Sequence, residues 1–334
     1  MREIGSEFWE QYDRIHAVCK RNEANLLSGR TALQFIIDDI RKKRKVHKVL
    51  MPSYCCESMI LPFIRSKIDV AFYPVYQDEM EIPQDHDADI ICLIDYFGYC
   101  LEQNYSIAVR EKQKGKIIIY DATHKIDGNP EVEAHVDYSF CSYRKWLYCN
   151  YAKAICHNGF FDITDKLALN ESYIQLRDEA ARKKKRFIDG LTKEKNSYLS
   201  DFNLAEELLE SDYEGYSGLP IAFDLQKLIF QRRENAEYLI SALRDVPNLK
   251  LWRTELKQKD VPMFVPILME SQIRDKLRRY LIDQQIFCPI HWPKSLYHTM
   301  HNDLYDMELS LICDQRYNLS DMDRMVSAIK GFIS

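Results

Sequence analysis

A lysine and an aspartate, each following an apolar strand-like run, are the residues of this chain whose types and order could do chemistry. Lys145 closes the stretch Tyr138-Ser139-Phe140-Cys141-Ser142-Tyr143-Arg144-Lys145. Earlier, the run Ile117-Ile118-Ile119-Tyr120 ends in Asp121-Ala122-Thr123-His124. An acid at one strand end and an amine after a later one suit pyridoxal phosphate (PLP) chemistry. The amine can hold the cofactor's aldehyde covalently. The carboxylate can keep the pyridine nitrogen protonated, so that the ring draws electrons from the substrate carbon. Taken singly, such a lysine is an ordinary solvated charge and such an aspartate an ordinary turn or cap residue.

A third feature joins them. Leu27-Ser28-Gly29-Arg30-Thr31-Ala32-Leu33 opens a helix, and a helix start with glycine and hydroxyl residues can hold a phosphate through its free N–H groups and dipole. The simpler role for Ser28 is an N-cap beside a flexible glycine. Ser142, three residues before Lys145, offers a second hydroxyl to the same phosphate. Tyr54 follows the apolar run Val49-Leu50-Met51. It is placed either to stack on an aromatic ring or to pack.

The elements that must position these residues alternate. Thr31 to Lys43 reads as a helix with Leu33, Ile36, Ile37 and Ile40 on one face. Strand-like runs follow at Val49–Met51, Val70–Tyr73, Ile90–Ile94, up to Asp121, up to Ser142, and at Ala152–Cys156, with helical stretches between several of them. Nearly continuous apolar strands alternating with helices predict a three-layer αβα sandwich around a mainly parallel sheet. In such sheets the ligand lies beyond the carboxyl ends of the strands, where Ser53, Tyr54, Asp95, Tyr96, Asp121, His124, Ser142 and Lys145 fall. A polar, helical stretch runs from about Asp162 to Glu214, and a long helix from about Pro220 to Arg244. The rest reads as a smaller α+β unit: strand Pro262–Met269, helix Ser271–Gln284, strand Ile286–Ile290 and closing helix Ser320–Phe332. We divide the chain into a large PLP-binding domain (1–218), a connecting helix (219–245) and a small C-terminal domain (246–334).

Composition sets limits. The chain has 334 residues, with 29% charged and a net charge of −5, which gives no reason to expect nucleic acid as a partner. Of two basic runs, Arg41–Lys45 suits the end of a helix, and Arg182–Arg186 reads as a solvated helix face. No apolar run approaches a membrane span, and the N-terminus lacks a signal-type segment. The ten cysteines form no CxxC pair and read as reduced residues of a cytoplasmic protein. His298 and His301 lack an acidic companion motif, so no metal site is expected.

At these residues the chain resembles the DegT/StrS family of PLP-dependent sugar aminotransferases, of fold type I. Ser28–Leu33 resembles the family's phosphate turn and Pro52-Ser53-Tyr54 the strand end that supplies the ring-stacking residue. Asp95-Tyr96-Phe97-Gly98 resembles a short aromatic-glycine strand end, and Asp121–His124 the segment of the pyridinium acid. There the fourth residue, usually glutamine, faces the cofactor's phenolic oxygen. Ser142–Trp146 resembles the segment of the cofactor-bearing lysine. Ile290–Pro293, Ile312–Tyr317 and Ser320–Met322 resemble the C-terminal domain of one branch.

The resemblance implies that an amino-acid donor, typically glutamate, passes its amino group through the cofactor to a nucleotide-linked keto sugar. Lys145 would also be the proton-moving base. It further implies a homodimer with shared active sites. Tyr213–Tyr216 and Arg232-Arg233 are the first partner elements to consider, because a single chain looks short of cations for a substrate diphosphate. The chain departs from the family pattern after the lysine: Cys149-Asn150-Tyr151-Ala152-Lys153 stands where a glycine-rich turn is usual. That departure supports an alternative, a relative with altered chemistry or a non-catalytic binding or assembly role.

Overall fold

The computed structural model describes residues 2–16, 19–163 and 165–333. Met1, in the N-terminal segment read above, and Thr164, in the polar stretch, lie outside them. The expected α/β architecture with a large, mainly parallel sheet is present. Seven strands lie in the order Glu23–Leu26, Ala152–Cys156, Tyr138–Ser142, Ile117–Asp121, Ile90–Ile94, Lys48–Pro52, Asp69–Tyr73. From Tyr138–Ser142 to Asp69–Tyr73 every pairing is parallel. Ala152–Cys156 turns back against Tyr138–Ser142, and Glu23–Leu26 runs antiparallel to it at the edge. Ile90–Ile94, Ile117–Asp121 and Tyr138–Ser142 are buried at every residue. That burial is why they read as unbroken apolar runs rather than alternating ones.

Helix Gly29–Lys43 packs on the strands Tyr138–Ser142 and Ala152–Cys156. Helix Glu102–Gln113 packs on Ile90–Ile94 and Ile117–Asp121. The polar stretch folds into two helices, Glu171–Ile188 and Lys195–Ser211, packed on each other. The second basic run is not wholly a solvated face. Arg182, Lys183 and Lys185 make ion pairs with Glu179, Asp201 and Asp189, whereas Lys184 is fully buried against Glu3 at 3.3 Å.

The last part of the chain builds a second core. Strands Lys250–Leu251, Val265–Leu268 and Glu308–Leu311 form an antiparallel sheet beside helices Leu225–Leu243, Ser271–Asp283 and Leu319–Ile333. The expected strand over Ile286–Ile290 pairs only at Ile286–Phe287, parallel to Ile4–Gly5. Pro289 has no N–H with which to continue the ladder. The strand Glu308–Leu311 was not expected, because two of its four residues, Glu308 and Ser310, are polar yet fully buried. Glu308 is satisfied by the His291 N–H at 2.7 Å and by the Ser310 hydroxyl at 2.5 Å.

Candidate active site

Parallel strands that end together place Asp121, Ser142 and the turn after Ser142 at one sheet edge. The loop Ala122–His124 and the short turn Tyr143–Lys145 are then tied by two bonds through Thr123, which also bonds back to the acid. The Thr123 N–H donates to Asp121 at 2.8 Å, its hydroxyl accepts from the Ser142 N–H at 3.2 Å, and its carbonyl accepts from the Trp146 indole at 2.6 Å. Trp146 is fully buried, with the Arg232 guanidinium 4.5 Å above its ring. Thr123 therefore fixes the acid-bearing segment to the lysine-bearing one. Sequence reasoning missed this role, although the residue sits inside the Asp121–His124 motif.

A cavity of about 550 Å³ opens here. Among its lining residues are Ser28, Gly29, Arg30, Asp121, His124, Ser142 and Lys145, seven of the eight residues singled out from the sequence. Lys145 is exposed, and its amine has no hydrogen-bond or ion-pair partner among the described residues. Asp121 is buried, and burial raises its carboxyl to about 6 against the Thr123 hydrogen bonds and the attraction of Lys145. His124 is also buried. Its Nδ1 lies 3.1 Å from the Phe97 backbone N–H. An N–H can only donate, so Nδ1 accepts and the ring proton resides on Nε2. Burial, aided by His291 and Lys145, holds the imidazole well below its ordinary range, so it is neutral.

The phosphate-type end forms at the helix start. The Ser28 hydroxyl accepts from the Thr31 N–H at 3.1 Å, so Ser28 is an N-cap. This leaves the Gly29 and Arg30 N–H groups in the first turn, where no intrahelical acceptor exists. A Cβ on Gly29 would stand 3.0 Å from Cβ of Ser142, so the glycine lets the helix start approach the lysine strand. The Arg30 guanidinium turns toward the end of another helix: it lies 5.5 Å over the Tyr213 ring and 3.6 Å from Glu210.

Tyr54 is not part of this cavity. It is fully buried among Tyr96, Trp292 and Tyr305, and its hydroxyl donates to the His291 carbonyl. Trp292 lines the cavity and stacks on the His124 ring, 5.5 Å away at 27°. Arg144 and Glu206, ion-paired, also line the cavity. Partial burial works against the Glu206 charge, but Arg144 and Arg177 outweigh it and hold the carboxyl at about 2.

The expected partner elements fall differently. Arg232 is buried in its own chain, donating to the carbonyls of Met263 and Trp146, and Tyr213 is buried beneath Arg30 and Arg65. The stretch after the lysine does not narrow the cavity. Among residues 147–152 none has a positive φ, so the turn requires no glycine. Tyr148, Cys149 and Asn150 line a separate cavity of about 360 Å³.

The donor set fits PLP. An unpartnered amine, a buried carboxyl for a ring nitrogen, an Nε2–H donor and an unpaired helix start share one cavity.

Known proteins share this fold. Residues 223–313 match the DegT/DnrJ/EryC1/StrS aminotransferase family. No curated protein matches the chain. Among solved structures, the chain is similar to Helicobacter pylori PseC, an aminotransferase involved in the biosynthesis of pseudoaminic acid (TM-score 0.65, 15% identity, 93% of this chain and 86% of that one). It is similar to a DegT DnrJ EryC1 StrS aminotransferase from Brucella abortus (TM-score 0.63, 18% identity, 93% and 86%). It is also similar to NtdA from Bacillus subtilis, solved with bound cofactor PMP (TM-score 0.63, 14% identity, 93% and 73%). At these identities the structural likeness is one of fold.

Proposed function

We propose that this chain, by its match over residues 223–313 a member of the DegT/DnrJ/EryC1/StrS aminotransferase family and so a PLP-dependent aminotransferase, moves an amino group from an amino acid to a keto sugar. In our reading the donor is glutamate and the sugar is carried on a nucleotide. One observation carries the reading: the free Lys145 amine opens into the same cavity as buried Asp121 and an unpaired helix start.

When bound, PLP supplies the electron sink that lets a carbon–hydrogen bond beside an amine be broken. The chain's residues do the rest. Asp121 accepts a hydrogen bond from a ring nitrogen, a charge-assisted contact that favours the protonated ring. His124, neutral and protonated at Nε2, donates to a phenolic oxygen. Ser142 Oγ and the Gly29 and Arg30 N–H groups hold the phosphate. Lys145 Nζ would hold the cofactor and, once a substrate amine had taken its place, would be the free base beside the substrate carbon. We place Trp292 beside the ring in the part first given to Tyr54, because Trp292 lines the cavity and Tyr54 does not.

The alternative of a non-catalytic relative rested on the missing glycine turn, and that turn lines another cavity. We further propose a cytoplasmic homodimer with shared sites, and the three-part division 1–218, 219–245 and 246–334. The ten cysteines are free, which suits a reducing compartment, and no described helix is long and apolar enough to cross a membrane.

The test is borohydride reduction of the PLP-loaded protein followed by peptide mapping. The cofactor mass should appear on Lys145 and vanish in Lys145→Ala. Label on Lys153, or none on any lysine, would reject the assignment.

A further inference from the structure

A second chamber of about 480 Å³ adjoins the first: Arg144, Lys145 and Glu206 line both. Its other walls include Ser6–Phe8, Asp314 and His291. An amino-acid donor sets this chamber a task. The donor arrives at neutral pH as an ammonium, and its nitrogen must give up a proton before it can attack. While Lys145 holds the cofactor, its own nitrogen is engaged. The carboxylates on the walls are weak acceptors. Against the opposing effect of burial, arginines hold Glu206 at about 2 and Asp314 below its ordinary value, and Glu7 is solvent-exposed. His124, whose ring lies 5.9 Å from that of His291, accepts from Phe97 at Nδ1 and carries its hydrogen on Nε2.

His291 is held differently. Its backbone N–H donates to Glu308 Oε2 at 2.7 Å, its Nδ1 lies 2.9 Å from Ser310 Oγ, and that hydroxyl lies 2.5 Å from Glu308 Oε1. Glu308 and Ser310 are fully buried, and no lysine or arginine pairs with the Glu308 carboxylate among the described residues. A carboxylate can only accept. Ser310 therefore donates to Glu308 and accepts the Nδ1 hydrogen of a neutral His291 ring. The basic lone pair is then on Nε2, which has no partner among the described residues. The rings around it, Phe97, Phe264 and Trp292, offer no competing base. A buried carboxylate without a cation is costly. Glu308 gains a cation when Nε2 takes a proton, which is how a carboxylate supports a catalytic histidine.

We propose that His291 is a proton acceptor of the active centre: Nε2 takes a proton from the ammonium of the arriving donor, while Glu308 and Ser310 position the ring and balance its charge. One N–H bond of the ammonium breaks, the electron pair stays on the amine nitrogen, and a new N–H bond forms at Nε2. The inference rests on the aminotransferase reading above. It also accounts for a strand, Glu308–Leu311, that buries two polar side chains.

Two measurements test it. Nitrogen–proton spectra of the cofactor-free protein, in mildly alkaline buffer where an imidazole is neutral, decide the relay. His291 should carry hydrogen on Nδ1 with Nε2 bare, and Ser310→Ala should release this fixed tautomer. A ring with hydrogen on Nε2 and Nδ1 bare overturns the proposal. The loss of the visible band of bound PLP on mixing with L-glutamate decides the proton step. His291→Ala should slow it about a hundredfold, within the range of general base catalysis, and added imidazole should restore much of the rate. Glu308→Gln and Ser310→Ala should slow it with little change in the half-saturating glutamate concentration. If Glu308→Gln fails to fold, Ser310→Ala carries that comparison. A His291→Ala variant that reacts at the wild-type rate, or a slow one that imidazole does not rescue, overturns the proposal. A wild type that borohydride labels on Lys145 but that is inert to glutamate would reject the glutamate donor, while the spectra would still decide the relay.

Discussion

The Phe97 backbone N–H donates to Nδ1 of His124 across 3.1 Å, and this one bond fixes which nitrogen of the imidazole carries its proton. The family's glutamine at this position offers an N–H donor. A neutral histidine locked as the Nε2–H tautomer offers the same. Nitrogen–proton correlation spectra of the cofactor-free protein should show His124 protonated only at Nε2 at neutral pH, with no titration at the ordinary histidine value, because burial holds its pKa well below it. A His124 signal that titrates near pH 6.5 would contradict the assignment. His124→Gln should keep the visible band of bound PLP, whereas His124→Phe should shift it.

Asp121 makes cofactor-free stability depend on pH in an identifiable direction. Its carboxyl sits at about 6 in the fold against an ordinary 3.8, chiefly because it is buried. The folded state thus binds the extra proton. The contribution is fully present below pH 3.8 and is lost as pH rises through about 6, a swing on the order of 2–3 kcal/mol. Asp121→Asn should flatten the stability profile of the cofactor-free protein between those values, measured by urea unfolding at several pH values. An unchanged slope would mean that another group carries it. Bound PLP should flatten the same window, because a protonated ring nitrogen favours the charged carboxylate.

Much of the sheet was legible because its central strands are buried on both sides and so appear as Ile117–Tyr120 or Ile90–Ile94, unbroken apolar words with polar stops. The stops align in parallel strands, which is why Asp121, Ser142 and Lys145 could be grouped before any fold was seen. Illegible were residues that reach the site from distant helices. Glu206 and Arg177 lie on faces whose local sequence is merely polar, and only the packing of Glu171–Ile188 on Lys195–Ser211 brings them to Lys145. Tyr54 and Arg232 were misplaced for a related reason. Sequence gives a position along the strand or helix but not the aromatic or carbonyl cage that claims the side chain.

Gly98 explains one motif that sequence could name but not interpret. It has φ +89°, and a Cβ there would stand 1.8 Å from the Val261 carbonyl oxygen. Beside it, the Gly98 carbonyl accepts from the Val261 N–H at 2.9 Å and the Phe97 carbonyl from the Met263 N–H at 2.8 Å. The aromatic-glycine segment is therefore a backbone joint between the large sheet and the chain entering the strand Val265–Leu268. Gly98→Ala should cost roughly 3 kcal/mol or more, since it combines a forbidden backbone region with a clash that breaks two hydrogen bonds. Denaturant unfolding that finds less than about 1 kcal/mol would remove the joint from the account.

Lys184 should act on stability in the opposite sense to Asp121. It is fully buried, 3.3 Å from Glu3, donates to the Glu7 carbonyl at 2.6 Å, and lies 4.9 Å over Trp9. It thereby clamps the N-terminal segment whose Ser6–Phe8 wall the second chamber. Burial, with Arg316 nearby, lowers its amine to about 8 from 10.5, despite the attraction of Glu3 and Glu7. The unfolded chain binds the extra proton between those values. The contribution is therefore fully present above pH 10.5, is lost as pH falls toward about 8, and is constant below, a swing on the order of 3 kcal/mol. Lys184→Met should remove that rise between pH 8 and 10.5 in unfolding experiments. It should also loosen the clamp at neutral pH, seen as a red shift of Trp9 fluorescence relative to a Trp9→Phe reference and as faster proteolysis within residues 2–16. A variant that keeps both the alkaline rise and wild-type protease resistance would show that the segment is held without Lys184, by contacts such as those of Arg316 and Lys195 and the Ile4–Gly5 pairing.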